Sequence, residues 1–353
     1  MATIFAFWNV QRMFDARGGS VHAALTGGER RPEPAEVDAK VASVGAILAA
    51  LGQSVGTPAL LGLAEIETAG LVERVARASG LRLSSAEGQI ADELGCPPEA
   101  LDLSLLYDPS RFGPPTRIRS HVLDRSLDTR DVLELQLTDL VSGRPVSVLV
   151  NHWPSRVAFE SLERRVAAAH HVRQLVAEGL RFQPRELWNP AAGELELPAE
   201  EAFRERASRA VVVMGDFNDE PFDQSLQILD ATPDLAEVAA PLSLTGRKLA
   251  ERYQSYLRWT PRLFNPFWSL CTGEQGTYYA SPRWRTYDQI LLSPGALELF
   301  GAVPRARVFS LPDVGVGASR IRLRTALGRP LPFDYARREG VSDHLAAYIT
   351  DAP

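Results

Sequence analysis

Cysteine is almost missing from this chain: Cys96 and Cys271 are the only two in 353 residues. They lie far apart and match no metal or redox spacing. They neither demand nor forbid an oxidising compartment. Lysine is as scarce, with Lys40 and Lys248 alone, so nearly all the positive charge is arginine. Arginine grips phosphate with a planar fork, although biased codon usage is the simpler account of the replacement. Positive charge is not in excess either. The chain has 38 basic and 44 acidic residues, a formal charge of −6. That excludes a surface coated for nucleic-acid binding but leaves room for a local basic groove. No apolar run approaches the about 20 residues of a membrane helix. The start shows neither a basic region nor an apolar core of a signal peptide, so a soluble cytoplasmic protein is expected. There is no internal repeat and no low-complexity tract.

What the sequence does have is a set of apolar strands that end in polar groups. Val211 to Met214 reads as a buried strand, and Gly215 allows a tight turn. Asp216 and Asn218 follow, two residues apart, so extended geometry would send both side chains to one side. A carboxylate and a carboxamide together suit a hard metal ion and a phosphate oxygen. On its own, Gly-Asp-x-Asn would also fit an Asx-turn closing a strand. The same design recurs, however. Ile4 to Trp8 runs into Asn9, and Ala59 to Ala64 runs into Glu65. Val146 to Val150 leads to Asn151-His-Trp-Pro-Ser-Arg156. Asp288 opens the run Gln289 to Leu292, and Val341-Ser-Asp-His344 precedes Leu345 to Ile349.

Taken in order, these segments resemble the endonuclease/exonuclease/phosphatase superfamily, which includes DNase I-like nucleases, abasic-site endonucleases, inositol polyphosphate phosphatases and neutral sphingomyelinases. The resemblance runs from Asn9 to His344. Gly215-Asp-Phe-Asn218 and Ser342-Asp-His344 are its most specific pieces. It implies an α/β fold of two packed, mostly antiparallel β-sheets flanked by helices, a four-layer α/β/β/α sandwich. It also implies one domain over residues 1–353, with irregular insertions near 181–208 and 241–277.

Between the tips, helices are expected over Glu36 to Leu51, Leu71 to Ser79 and Val157 to Leu180. The last would bury Leu162, Val166, Ala169, Val172 and Val176. Short helices are expected over Phe222 to Leu229 and Pro233 to Val238. Val132 to Leu137 and Val146 to Val150 read as a hairpin across Ser142-Gly-Arg-Pro.

Phosphodiester hydrolysis needs a deprotonated water, neutralised phosphate oxygens and a stabilised leaving group. The resemblance assigns residues to these tasks. Glu65 is a metal ligand, with Glu67 two residues on as a competitor. Asn9 stands beside the metal, and Asp343 is a second acidic ligand. Mg²⁺ is the implied cofactor, and Mn²⁺ would substitute readily. His344 is a base or a phosphate-polarising group, oriented by Asp288. Asp216 orients or deprotonates the attacking water, so the base is either Asp216 or His344. Asn218 donates its amide to a phosphate oxygen. His152 contacts the phosphate and helps protonate the leaving group. Arg156 could reach a phosphate or a neighbouring carboxylate, and Arg130 would line the site. In one departure from many relatives, Gln289 follows Asp288 where they have histidine or tyrosine.

The nature of the substrate rests on Arg247 to Arg285. This segment interleaves Arg247, Lys248, Arg252, Arg258, Arg262, Arg283 and Arg285 with Tyr253, Tyr256, Trp259, Phe264, Phe267, Trp268, Tyr278, Tyr279 and Trp284. Cations for phosphates plus aromatic faces for bases is how single strands are held. The same aromatics could instead pack a small core while the arginines face water. The favoured expectation is a nuclease acting on DNA, with RNA second. The alternative is a phosphatase or phosphodiesterase of a small molecule such as an inositol phosphate, a nucleotide or a phospholipid headgroup. No protein partner is inferred.

Overall fold

Residues Ile4–Met13 form the first strand, β1, whose apolar side chains are buried on both faces. Such a strand must lie inside a sheet that is itself covered on both sides. The computed structural model describes residues 2–17, 30–86, 103–121, 131–157, 160–180, 208–240, 262–311, 313–316 and 319–352. After β1 come α1 (Pro34–Ser54), β2 (Leu60–Ile66), α2 (Ala69–Ser79), β3 (Ser84–Ser85) and β4 (Leu103–Tyr107). Next are β5 (Arg117–His121), β6 (Val132–Thr138), β7 (Pro145–His152), α3 (Ser161–Leu180) and β8 (Ala210–Asp216). The short elements α4 (Gln224–Ile228), β9 (Ala231–Thr232), α5 (Leu235–Ala239) and β10 (Leu263–Phe264) follow. Beyond these lie β11 (Tyr278–Ala280), β12 (Arg283–Arg285), β13 (Asp288–Leu292), α6 (Pro294–Leu297) and β14 (Arg305–Val308). Then β15 (Asp313–Val316), β16 (Ser319–Arg322) and β17 (Ala347–Thr350) complete the order.

Two mostly antiparallel sheets result, ordered β14-β17-β1-β2-β4-β3 and β5-β6-β7-β8-β13-β10-β9. Within them β1 runs parallel to β2, and β7 parallel to β8. Phe5 and Phe7 point into the core between the sheets, alongside Val148, Val150, Val212, Met214 and Ile290. The other face of β1, with Ile4, Ala6 and Trp8, packs under α1 through Val37, Val41, Val44 and Leu48. On the far side, Ala168, Ala169, Val172 and Val176 of α3 cover Leu149, Val211 and Val213. This is the expected α/β/β/α sandwich. Each fully buried side chain of the size of Phe7 contributes about 1.5–3 kcal/mol.

Local chemistry sets the helix ends. Glu33 and Glu36 form a capping box around Pro34 at the start of α1. In α2, Thr68 accepts from the Leu71 N–H, and Gly80 closes the helix at φ 62. Three expectations fail on α3: it starts at Ser161 rather than Val157, Leu162 is 44% exposed, and Val166 is only half-buried. The inward position of that first turn belongs to Arg165, whose Nε lies 2.8 Å from Asp219 Oδ2.

Gly215 also works differently from the turn role expected of it. It lies within β8, and a Cβ there would sit 2.4 Å from the Asn151 carbonyl oxygen of β7. The glycine permits a close strand approach rather than a bend. Gly215→Ala is therefore expected to destabilise the fold by about 1–3 kcal/mol through overpacking. The urea midpoint would report the loss, and an unshifted midpoint would contradict it.

Candidate active site

The polar residues at the strand tips continue the inner-face phase of their strands. Phe5 and Phe7 point between the sheets, and so does Asn9, two residues further along β1. The same step carries Val148 and Val150 to His152, Val212 and Met214 to Asp216, and Leu292 and Ile290 back to Asp288. Register aligns the last three, because Asp216 pairs with Asp288 on one side and His152 on the other. The parallel pairs β1–β2 and β7–β8 put their carboxyl ends at one end of the sandwich, where antiparallel β13 begins. One pole of the inter-sheet core is thus polar rather than apolar.

Glu65 reaches this pole by another route. Its strand neighbours Leu61 and Leu63 face the helices, so an unbroken strand would aim Glu65 outward with them. The residue instead adopts φ 64, which turns its carboxylate to the pole. Non-glycine residues with positive φ cluster here, with Gln11 at 56, Arg12 at 43, Glu65 at 64 and Asn218 at 50. Such conformations persist where surrounding contacts hold them, commonly at functional sites.

Asn9 bridges two carboxylates through its amide nitrogen, donating to Glu65 Oε1 at 2.9 Å and Asp216 Oδ2 at 3.1 Å. Its oxygen accepts from the Gln11 N–H at 2.9 Å. His152 Nε2 stands 3.6 Å from Glu65 Oε1 and 3.8 Å from Asp216 Oδ2. His344 Nε2 lies 3.7 Å from that same Asp216 oxygen, and His344 Nδ1 is 2.8 Å from Asp288 Oδ2. The ring is fixed further: Trp8 Nε1 donates to the His344 carbonyl at 3.0 Å, and the Tyr278 ring lies 4.7 Å away. Ser342 Oγ donates to the Asn9 carbonyl at 2.7 Å, tying the segment before His344 to the tip of β1.

Burial alone would push the His344 imidazole down, yet Asp288 and Asp216 outweigh it and hold its pKa well above the usual histidine value. Burial pushes the Asp288 carboxyl up, against the pull of His344. Half-buried Asp343 is among the charges that support the His344 proton.

Lys40 is one of the two lysines of the chain. It is fully buried beneath this end, where Nζ donates to the Val341 carbonyl and lies 4.8 Å from the centre of the Phe333 ring. Burial lowers its pKa from 10.5 to about 7, against the support of Asp343 and Glu65.

The donor set fits a hard divalent cation. Asp216, Asp288 and His344 each offer a ligand atom within 4.8 Å of one another. His344 and Asp288 already share a hydrogen bond, however, and form a proton-holding pair. Glu65 is the more open carboxylate, with a side-chain exposure of 21% against 1% for Asp216. Glu65, Asp216 and Asp288 thus bring carboxylate oxygens to one pole, a donor set that suits a hard cation.

Asn218 and Arg156 are placed beside this group. The Asn218 N–H donates to Asp216 Oδ1 at 3.0 Å, so the Asx-turn geometry is present, and its amide donates to the Trp153 carbonyl at 2.9 Å. The chain bends at Asn218, where φ is 50, rather than continuing extended, so the same-side geometry expected of Asp216 and Asn218 is not kept. Arg156 takes the carboxylate option: its guanidinium donates to the Asn218 carbonyl at 2.8 Å, to Asp219 Oδ1 at 2.7 Å, and to Asp223. Glu67 accepts from the Asp15 N–H at 2.6 Å and pairs with Arg31, away from Asn9. Gln289 is buried and donates to the Asp219 and Thr286 carbonyls, bracing the loop after Asp216. Arg130 lies outside the described residues.

In the described part of the aromatic segment several side chains pack, while Tyr278 and Tyr279 stay half-exposed. Phe264 and Phe267 join the core, Trp284 packs under the helical layer, and Arg285 pairs with Glu220 at 2.6 Å. Residues 241–261 lie outside the described residues.

A sandwich with this polar pole defines a phosphoesterase class, and the sequence agrees. The chain belongs to the endonuclease/exonuclease/phosphatase family, whose sequence profile matches residues 4–186, over half of its length. Members of that family are phosphoric ester hydrolases that use divalent metals. No curated protein matches the chain significantly. Among solved structures, a family protein from Bacteroides thetaiotaomicron is 11% identical, with a TM-score of 0.52 over 99% of this chain and 97% of its own. D. rerio TDP2, complexed with a single-strand DNA product, is 14% identical, with a TM-score of 0.49 over 99% and 98%. The mannosyl-6-phosphatase Bt3783 of B. thetaiotaomicron is 10% identical, with a TM-score of 0.49 over 98% of each chain. At these identities the likeness speaks to the fold alone.

Proposed function

We propose that this chain is a Mg²⁺-dependent phosphodiesterase acting on nucleic acid, with DNA favoured over RNA and Mn²⁺ able to replace Mg²⁺. The observation that carries the reading is the convergence of His152, His344, Glu65 and Asn9 around Asp216. Glu65 and Asp343 are the proposed metal ligands, with Asn9 beside the ion, keeping the Glu65 and Asp216 carboxylates in register. A bound divalent cation would neutralise charge on the phosphate and on the leaving oxygen.

The residues divide the remaining work. Asp216 orients the attacking water and takes its proton, because its oxygen faces both histidines. His344, kept charged by Asp288 and Asp216, polarises a phosphate oxygen rather than acting as the base. His152, with Nε2 facing the same carboxylates, contacts the phosphate and delivers a proton to the leaving oxygen. Asn218 donates to the phosphate once its amide turns from Trp153. Arg156 braces the Asn218 loop, and Arg130 remains a substrate-binding candidate.

A diester is favoured over a monoester dianion on charge grounds. Arg156, a planar fork behind the site, is committed to Asp219 and Asp223, so its charge is not available to a second negative charge on the phosphate.

The test is cleavage of supercoiled plasmid and of labelled single and double strands in Mg²⁺ or Mn²⁺. Cutting should disappear in EDTA and fall by about 10²–10⁴-fold in His344→Ala. Phosphate release from inositol phosphates, nucleotides or lipids without any strand cutting would move the assignment to a small substrate. No metal-dependent hydrolysis of any phosphoester would overturn it.

A further inference from the structure

Arg12, which the sequence did not single out, stands on the rim of the site with its guanidinium uncommitted among the described residues. Arg12 follows Asn9 by three residues, and its backbone N–H donates to Glu65 Oε2 at 2.7 Å. The backbone there is turned, with φ 56 at Gln11 and 43 at Arg12. Contacts from the loop before His344 hold the turn. Tyr335 Oη donates to the Arg12 carbonyl at 2.8 Å and accepts from the Phe14 N–H at 3.2 Å. Gln11 Oε1 accepts from the Phe333 N–H at 2.8 Å.

Three other arginines on this side are spoken for. Arg30 pairs with Glu36 at 2.7 Å, Arg31 with Glu67 at 3.1 Å and Arg285 with Glu220 at 2.6 Å. The exposed Arg12 guanidinium has no acceptor among the described residues.

Arg12 also lines a cavity of about 380 Å³ with Gln11, Phe14, Phe333 and Tyr335. That volume falls at the small end of ligand pockets, about 300–1,000 Å³. Its acids are answered internally, Glu36 by Arg30 and Asp334 by Arg337, so the unanswered charge of its wall is positive. An aromatic wall beside a free guanidinium suits a phosphate with a sugar or base attached.

We propose that Arg12 and this cavity form a subsite for a second phosphate of the substrate, the one next along the strand from the phosphate being hydrolysed. The inference rests on the phosphodiesterase reading. It assigns Arg12 to substrate length and charge rather than to bond breaking. The strained turn fixes where Arg12 leaves the backbone, while the link to Glu65 is made by the main chain and survives replacement of the side chain.

The experiment compares wild type, Arg12→Ala and Arg12→Lys on two substrates in Mg²⁺. One is bis(4-nitrophenyl) phosphate, which has a single phosphate. The other is a labelled oligonucleotide. For Arg12→Ala, the loss of kcat/KM on the oligonucleotide should exceed the loss on the small diester by about tenfold, and should fall mainly on KM. Arg12→Lys should recover part of it. A second oligonucleotide with an uncharged methylphosphonate beside the scissile bond should abolish the difference between wild type and Arg12→Ala. Equal losses on both substrates, or none on the oligonucleotide, would overturn the subsite while leaving the phosphodiesterase reading standing. If wild type hydrolyses the small diester but no oligonucleotide, the subsite falls together with the nucleic-acid assignment.

Discussion

Asp288→Asn is expected to lower kcat by about 10³–10⁴-fold while leaving the fold intact. Asp288 begins β13 fully buried, and its Oδ2 meets His344 Nδ1 at 2.8 Å. No other hydrogen-bond partner competes for that histidine nitrogen among the described residues. A carboxamide has nearly the same shape, so packing is kept. Two properties are lost. The negative charge that holds the His344 proton against burial disappears, and an amide that turns its NH₂ toward Nδ1 enforces the other ring tautomer. The corresponding swap in a serine-protease triad costs about 10⁴ in kcat with geometry preserved. The fold should survive but lose some stability, because relief of the Asp288 desolvation only partly offsets the loss of a buried ion-pair partner of His344. The expected pattern is therefore lost turnover, a modestly lowered melting temperature, and a lowered His344 pKa by NMR. Activity within tenfold of wild type would show that Asp288 does not orient the reacting group.

How much of this was legible in the sequence depends on the range of the interaction concerned. The tips at Asn9, His152, Asp216 and Asp288 could be read because each continues the alternation of its own strand. Phe5, Phe7 and Asn9 share a face by period alone. Their convergence, however, came from the family resemblance, since period cannot say which strands become neighbours. Glu65 illustrates the limit. Period places it with Leu61 and Leu63 on the helix side, and only the φ of 64 brings it to the site. Arg156 was ambiguous for a different reason. Its partners Asp219 and Asp223 lie over 60 residues away, and no local rule pairs them. Gln289, a departure from many relatives, braces the loop after Asp216 through a contact 70 residues back along the chain. Arg12 left no local trace, because its significance is the absence of a partner among the described residues, which only the fold discloses.

Lys40→Met is expected to stabilise the metal-free protein at acidic pH and to lose that advantage as pH rises. The lysine lies in α1 with its ammonium fully buried, bonded to the Val341 carbonyl. Its pKa is lowered from 10.5 to about 7, first by burial, against the pull of Asp343 and Glu65. A lowered lysine pKa means the unfolded chain holds the proton more tightly than the folded one. The charged lysine therefore costs stability, fully below about pH 7, and stability recovers as pH rises from about 7 toward 10.5. At 1.36 kcal/mol per pKa unit the shift corresponds to an upper limit of about 5 kcal/mol. Methionine keeps the apolar volume beside Phe333 but leaves the Val341 carbonyl without its donor, a loss of about 1–3 kcal/mol. The net gain below neutral pH is then about 2–4 kcal/mol. Near pH 10 the same variant should be the less stable of the two by about 1–3 kcal/mol. Denaturant midpoints measured across this range in EDTA would show the crossing, and a difference between variant and wild type that stays constant with pH would contradict it. The crossing is a physical signature of a lysine kept under Asp343 and Glu65 at the expense of stability. In a chain that uses arginine almost everywhere else, a compact ammonium able to shed its proton suits this buried position better than a permanently charged guanidinium.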